Sequence, residues 1–248
     1  MPHAETDLRG SLGTVRNAVT LLHLLGEGPA LQHLTDLAER SGMSVPTVHR
    51  LLRSLVLADL AVQDARTSRY GLGPELVRLS HRYLARLPIL GALGPYLAQL
   101  RDSAQATVEV HTIVRGMLTV LDRIDGPDAG PYRDAHAVVA PLTSPAGRLI
   151  LARSDDEAWA RALDDLDPEE RAEAERSRAD WASAAYLLMP GDTFGGPTRI
   201  AVPLTTEPDG SLTTLTALVP SERAGEAEHI AGQLARAGSA AMRTLGHV

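Results

Sequence analysis

The 248 residues suffice for two domains of ordinary size, and 44% hydrophobic with 22% charged residues is the balance of a soluble globular chain. No apolar run approaches the ~18 residues a membrane helix needs; the polar start Met1–Gly10 lacks a signal-peptide pattern, and the absence of cysteine excludes disulfides and thiolate chemistry, so a cytoplasmic location is expected. The net charge of −7 speaks against nucleic acid only until it is divided: residues 1–88 hold ten arginines against eight acids, residues 89–248 fourteen against 23, and residues 40–72 five against two.

Val15, Ala18, Val19, Leu22 and Leu25 recur at helical spacing, and Gly26-Glu27-Gly28-Pro29 ends that helix. A second helix is predicted from Leu34 to Arg40, stopped by Ser41-Gly42. Ser44 reads as the N-cap of a third helix with Val45 and Pro46 in its first turn, and Val45, Val48, Leu51, Leu52 and Leu55 share one face of it. Two extended segments, Leu60–Gln63 and Arg69–Leu72, follow and are joined by the polar Asp64–Ser68.

Three helices and a hairpin in this order describe a winged helix-turn-helix. That motif needs a small residue where its helices touch, a turn residue tolerant of positive φ, and apolar residues seating the second helix. Ala38, Gly42, and Val48 with Leu51 meet these needs in turn. At 100° per residue Pro46, Thr47, Arg50, Arg53 and Ser54 lie opposite Val48, where Thr47 and His49 can bond phosphates or base edges and Arg50 can take a guanine or a phosphate. The expected DNA-contacting set is Ser44, Pro46, Thr47, His49, Arg50 and Arg53 on the helix, with Arg66, Thr67 and Arg69 at the hairpin tip. An ordinary helical hairpin with solvated arginines shares the spacing; the basic hairpin that follows favours DNA.

Gly73-Pro74 opens a connector helix with Leu76, Leu79, Tyr83 and Leu87 on one side, closed by Pro88. Leu93, Tyr96, Leu97 and Leu100 mark a further helix, and Thr107–Val114 with Met117–Ile124 form a hairpin around Arg115-Gly116. A loop is read at 126–131, a helix from Ser144-Pro145 through Arg153, acidic Ala-rich helices over 155–185, and a second loop at 191–197. Strands Arg199–Thr205 and Leu212–Val219 flank the turn Glu207-Pro208-Asp209-Gly210, and a last helix starts at Ser221. The chain is therefore expected to be α+β in two domains: a DNA-binding domain over 12–73, a linker helix over 74–88 and a second domain over 89–248.

Glu109, His111 and His136 could be offered as metal ligands, but residues 109 and 111 alternate along a strand and structural or surface roles are expected; no cofactor is. Ser144 before Pro145 is either a plain N-cap or a carboxylate site at a helix N-terminus. An enzyme using Ser144, His136 and Asp122 is a remote alternative, since nothing brings those three together and no nucleophile elbow, P-loop or dinucleotide fingerprint is present.

The segments Val15-Arg16-Asn17-Ala18-Val19, Leu37–Gly42, Thr47–Leu55 and Tyr70-Gly71-Leu72-Gly73 resemble the IclR family of transcription regulators, as do Leu121–Ile124 and Ala201-Val202-Pro203 further on. The resemblance implies a GAF-like second domain with a central antiparallel sheet that binds a small effector, and dimers through the DNA-binding domains, often tetramers. Carried over, it places the effector near Leu142, Ser144, Gly147, Asp192, Arg199, Thr216 and Leu218. The sequence departs from the family there: Leu142–Arg148 replaces a common His-Ala-Thr-Ala-Leu-Gly-Lys, Arg199 ends a segment that commonly ends in Val-Arg-Cys, and Thr216 and Leu218 replace a frequent serine pair. The departures suggest an apolar or aromatic metabolite, or a second domain that only oligomerises. Double-stranded operator DNA and a homodimer or tetramer are the expected partners, with no membrane role.

Overall fold

The computed structural model describes residues 3–127, 138–164, 166–191, 196–204 and 212–246, with side chains from residue 13 onward. The chain divides into two compact units, residues 1–86 and 87–248. Among the described residues no helix is long and apolar enough to cross a membrane.

The first unit holds α1 (His3–Glu27), α2 (Leu34–Ser41), α3 (Val45–Leu57), β1 (Ala61–Gln63), β2 (Tyr70–Leu72) and α4 (Glu75–Leu84). Leu21, Leu37 and Leu52 are fully buried at its centre, joined by Leu25, Ala38, Val48, Leu51 and Leu55. On α1 the buried stripe runs through Leu21 and Leu25, whereas Val15 and Val19 of the expected set are exposed. Between Val15 and Leu25 apolar residues occupy more than one stripe of that helix, so spacing alone does not choose the buried one. α4 ends at Leu84, earlier than the sequence suggested, and Pro88 opens the next helix instead of closing this one. Leu87, held extended by the proline after it, caps that next helix (φ −76°, ψ 112°).

The second unit holds α5 (Pro88–Ala104), β3 (Thr107–Val114), β4 (Met117–Ile124), α6 (Pro145–Ala152), α7 (Asp156–Leu163), α8 (Pro168–Ser183), β5 (Leu187–Met189), β6 (Thr198–Pro203), β7 (Thr214–Val219) and α9 (Ala227–Thr244). The β3–β4 turn places Arg115 at φ 52° and Gly116 at φ 82°, the double positive φ a two-residue hairpin loop requires. The strands form one antiparallel sheet in the order β4-β3-β7-β6-β5. Against one face α5 and α9 pack Leu93, Leu97, Ile230 and Leu234 on Val108, Val110, Ile200 and Leu215. α6 covers the other with Ala146, Leu149 and Ile150 against Leu118 and Ala201. Beyond α6, α7 and α8 bring Trp159 and Trp181 edge to face at 6.3 Å. Arg178 stacks on the first ring and Arg148 on the second. The last α-helix begins at Ala227, preceded by a 3-10 turn over Ser221–Glu226.

Candidate nucleic-acid interface and the inner face of the second domain

α2 stops at Gly42, whose φ of 67° lets the chain turn and whose N–H bonds Glu39 O at 3.2 Å. Ser44 then begins α3 from an extended conformation (φ −65°, ψ 144°). Its hydroxyl does not cap the helix but lies 2.8 Å from the Thr47 hydroxyl. With Val48, Leu51, Leu52 and Leu55 facing the core, Pro46, His49, Arg50 and Arg53 stand exposed and Thr47 half-buried. Val45, expected on the core face, is 45% exposed because it precedes the first packed turn.

The hairpin is pinned at both ends. Asp64 accepts the Thr67 N–H at 2.8 Å and the Thr67 hydroxyl, and this hydroxyl bond chiefly holds its carboxyl below the ordinary range. Ser68 takes φ 57° and closes the turn on Asp64 O at 2.8 Å. Arg66 and Thr67 are exposed at the tip, and Arg69 Nε donates to His33 Nε2 at 3.1 Å. At the base, Gly71 and Gly73 explain the Tyr-Gly-Leu-Gly pattern. A Cβ on Gly71 would stand 2.5 Å from Ala30 O, and one on Gly73 would stand 2.1 Å from Asp59 O.

Gln32, which the sequence reading passed over, joins wing and helices. Its main chain exchanges two 2.8 Å bonds with Tyr70, an isolated bridge that ties the segment after α1 to the two-stranded wing. Its buried side chain bonds Leu24 O, Leu25 O and Arg40. Arg40, counted in the basic stretch, is thus spent on the scaffold, as its 3.5 Å approach to Glu27 also indicates. Among the described residues Arg50, Arg53 and Arg66 make no ion pair or side-chain hydrogen bond, so three cations on one helix and one wing tip keep their charge for a partner.

In the second unit the inner sheet face carries charge. Glu109 and His111 alternate with Val108 and Val110, yet both faces of β3 are covered and the two polar residues are 7% and 5% exposed. Glu109 sits 3.2 Å from His111 Nε2 and 2.5 Å from Arg123, which also bonds Asp125 at 2.8 Å. Burial alone would raise the Glu109 carboxyl; the His111 hydrogen bond and the charges of His111, Arg123 and Arg199 outweigh it and hold the carboxyl below its ordinary range. The ion pair accounts for the two strand residues offered as metal ligands; His136 lies outside the described residues.

Of the residues placed near an effector, Thr216 is buried with its hydroxyl 3.3 Å from His111 Nδ1. Arg199 is half-buried, with Met189 and Leu218 as its cross-strand neighbours. The Arg199 side chain makes no hydrogen bond or ion pair among the described residues. Ser144 precedes α6 with its side chain buried and its hydroxyl not used as a cap. Leu142 packs instead with Leu151, Trp159 and Leu163, and Gly147 lets α6 close on the Pro141 carbonyl, 2.1 Å from where a Cβ would stand. Asp192 lies outside the described residues.

A helix-turn-helix with a wing, carrying unpaired cations on both, defines a DNA-binding domain of the winged helix-turn-helix class. The family model of the IclR helix-turn-helix domain matches residues 14–65. An HTH-type transcriptional regulator of Mycobacterium tuberculosis is 29% identical over 165 residues, covering 66% of this chain and 63% of that protein. An IclR family transcriptional regulator from Brucella abortus has the same fold, with a TM-score of 0.81 at 22% identity over 93% of this chain and 91% of that one. An IclR homologue from Microbacterium hydrocarbonoxydans, solved in complex with 4-hydroxybenzoate, superposes with a TM-score of 0.72 at 18% identity over 95% of this chain and 100% of that one. Residues 14–65 thus match the IclR helix-turn-helix domain, and the chain has the fold of the IclR regulators solved. It spans about three fifths of the length of the curated relatives it matches.

Proposed function

We propose that this protein is a sequence-specific DNA-binding transcription regulator whose second domain answers to a small molecule. The observation that carries the reading is the trio Arg50, Arg53 and Arg66, exposed and unpaired on α3 and the wing while Arg40 and Arg78 are held by Glu27 and Glu75. α3 enters the major groove of a double-stranded operator, and the wing's Arg66, Thr67 and Arg69 follow the backbone. A homodimer or higher oligomer spans two half-sites; Val15 and Val19 on α1 with Val77, Leu79 and Tyr83 on α4 leave apolar surface for that contact. Retardation of a fragment of the protein's own promoter, undisturbed by excess unrelated DNA, tests the reading. Equal displacement by both DNAs contradicts it.

The effector lies on the inner sheet face beside Arg199, Thr216 and Ser144. Met189 and Leu218 are the cross-strand neighbours of Arg199, a setting that suits an aromatic or apolar body bearing one anionic or strongly polar group. The 4-hydroxybenzoate complex of a homologue of the same fold supports that choice. Both tryptophans belong to the layer over α6, so thermal shift and tryptophan fluorescence both report binding. Stabilisation by aromatic acids is expected. A response to glyoxylate or pyruvate alone overturns the aromatic choice, and no response to any compound favours a second domain that only oligomerises.

A further inference from the structure

The wing and the start of α2 also meet on their exposed side. The two main-chain bonds between Gln32 and Tyr70 form an antiparallel bridge, which sets His33 across from Arg69. Gln32 and Tyr70 are buried, and their neighbours His33 and Arg69 are exposed, as side-chain alternation along paired segments requires. Arg69 Nε lies 3.1 Å from His33 Nε2. A guanidinium has only hydrogens to offer, so Nε2 accepts and the imidazole of this pair is neutral, its proton on Nδ1. The pair is a cation held against a base. A proton added at Nε2 removes the acceptor and sets two positive charges face to face.

A phosphate resolves that conflict. One of its oxygens accepts from Arg69 Nε–H and another from a protonated His33 Nε2, both charge-assisted bonds, and the phosphate charge offsets the added proton. Both residues lie where a DNA backbone passes. The first helix of a helix-turn-helix crosses the backbone, and His33 is the N-cap residue of α2, while Arg69 belongs to the wing. Among the described residues the acids of the elements that meet here are engaged elsewhere: Asp64 of the wing accepts from Thr67 at 2.8 Å, Asp36 in the first turn of α2 from Thr35 at 3.2 Å, and Glu27 at the end of α1 from Arg40 at 3.5 Å. Arg66, the remaining charge of the wing, has the same sign as Arg69. We propose that His33 and Arg69 form a phosphate clamp, so that binding of the DNA backbone takes up a proton at His33. The clamp rests on the reading of the first unit as a DNA-binding domain and adds His33 to its contacts.

Backbone contacts are independent of sequence, so a short double-stranded DNA of arbitrary sequence is a sufficient probe for the full chain. His33→Gln keeps an acceptor for Arg69 but cannot take a proton. As pH falls from about 7.5 to about 5.5 at fixed salt, across the ordinary imidazole value of about 6.5, wild-type affinity should rise about tenfold more than that of His33→Gln. His49→Gln removes the imidazole on α3 and retains that gain. Calorimetric titration at about pH 6.5 in two buffers of different ionisation heat should show proton uptake by the wild type and less by His33→Gln. An equal pH gain and equal proton uptake in wild type and His33→Gln overturn the clamp and leave DNA binding standing. Loss of the gain in His49→Gln alone assigns the proton to α3 and overturns it too. Absence of DNA binding at every pH overturns the DNA-binding reading itself, and the clamp with it.

Discussion

Replacing Gln32 by leucine tests how the wing is hung on the helices. The residue is 5% exposed, and its Nε2 donates to Leu24 O at 2.9 Å and Leu25 O at 3.2 Å, carbonyls left over at the end of α1. Its Oε1 accepts from Arg40 at 2.8 Å. Leucine keeps the volume and the main-chain pair with Tyr70 but removes these bonds and strands two carbonyls. At about 1 kcal/mol for each of two neutral bonds and about 1.5–3 for one to a charged donor, the loss is roughly 3.5–5 kcal/mol before any recovery. Arg40 recovers part of it through Leu24 O at 3.4 Å and Glu27 at 3.5 Å, leaving a net loss of about 3 kcal/mol. With a urea m-value of about 1–3 kcal/mol/M, the midpoint of the first unit falls by roughly 1–3 M. Trp159 and Trp181 both lie in the second unit, so tryptophan fluorescence follows that unit while far-UV circular dichroism follows both. The dichroism of the N-terminal helices should melt early with the fluorescence midpoint unmoved. A dichroism curve superimposable on the wild type would mean that water replaces the amide at no cost and that Gln32 does not hold the wing.

Three further outcomes are expected. Neutralising Arg66 and Arg69 together weakens binding to all DNA sequences alike and flattens the plot of log affinity against log salt by up to about two phosphate equivalents; an unchanged slope removes the wing from the backbone. Glu109 titrates below its ordinary range when folded, so its contribution to stability is present above the unfolded carboxyl value of about 4.3 and is lost as pH falls from there through the lower folded value; Glu109→Gln should flatten that acid limb in pH-dependent thermal melts. Gly73→Ala forces a Cβ to within 2.1 Å of Asp59 O and 2.7 Å of Ala61 N, both main-chain atoms, and should destabilise the first unit by roughly 1–3 kcal/mol in urea titration.

The helix-turn-helix could be read from the sequence because its signals are local. Gly42 adopts the positive φ its turn needs, Pro46 lies in the first turn of α3, and Arg115-Gly116 meets the geometry of the tight hairpin. What escaped depended on partners distant in sequence. The alternation in β3 suggests one wet face, but α6 lies over that face and makes Glu109 and His111 a buried pair with Arg123. Gln32 gives no sign in the sequence that it will meet Tyr70 across 38 positions. β5, at three residues, is too short to show a period, and the packing of Leu142 on Leu151, Trp159 and Leu163 and the approach of Gly147 to the Pro141 carbonyl depend on partners the sequence does not mark. Leu142, Ser144, Gly147, Arg199, Thr216 and Leu218 remain an effector proposal for ligand binding to test.

Selection of binding sites from random double-stranded DNA, repeated with Arg50→Ala at the same salt concentration, shows whether α3 reads base edges through Arg50. The wild-type protein should recover a defined, near-palindromic sequence; the variant should lose about 1–3 kcal/mol on it, roughly 5- to 150-fold in affinity, and accept other bases at one position of each half-site. A variant that recovers the same sequence with the same affinity would mean that Arg50 reads no base.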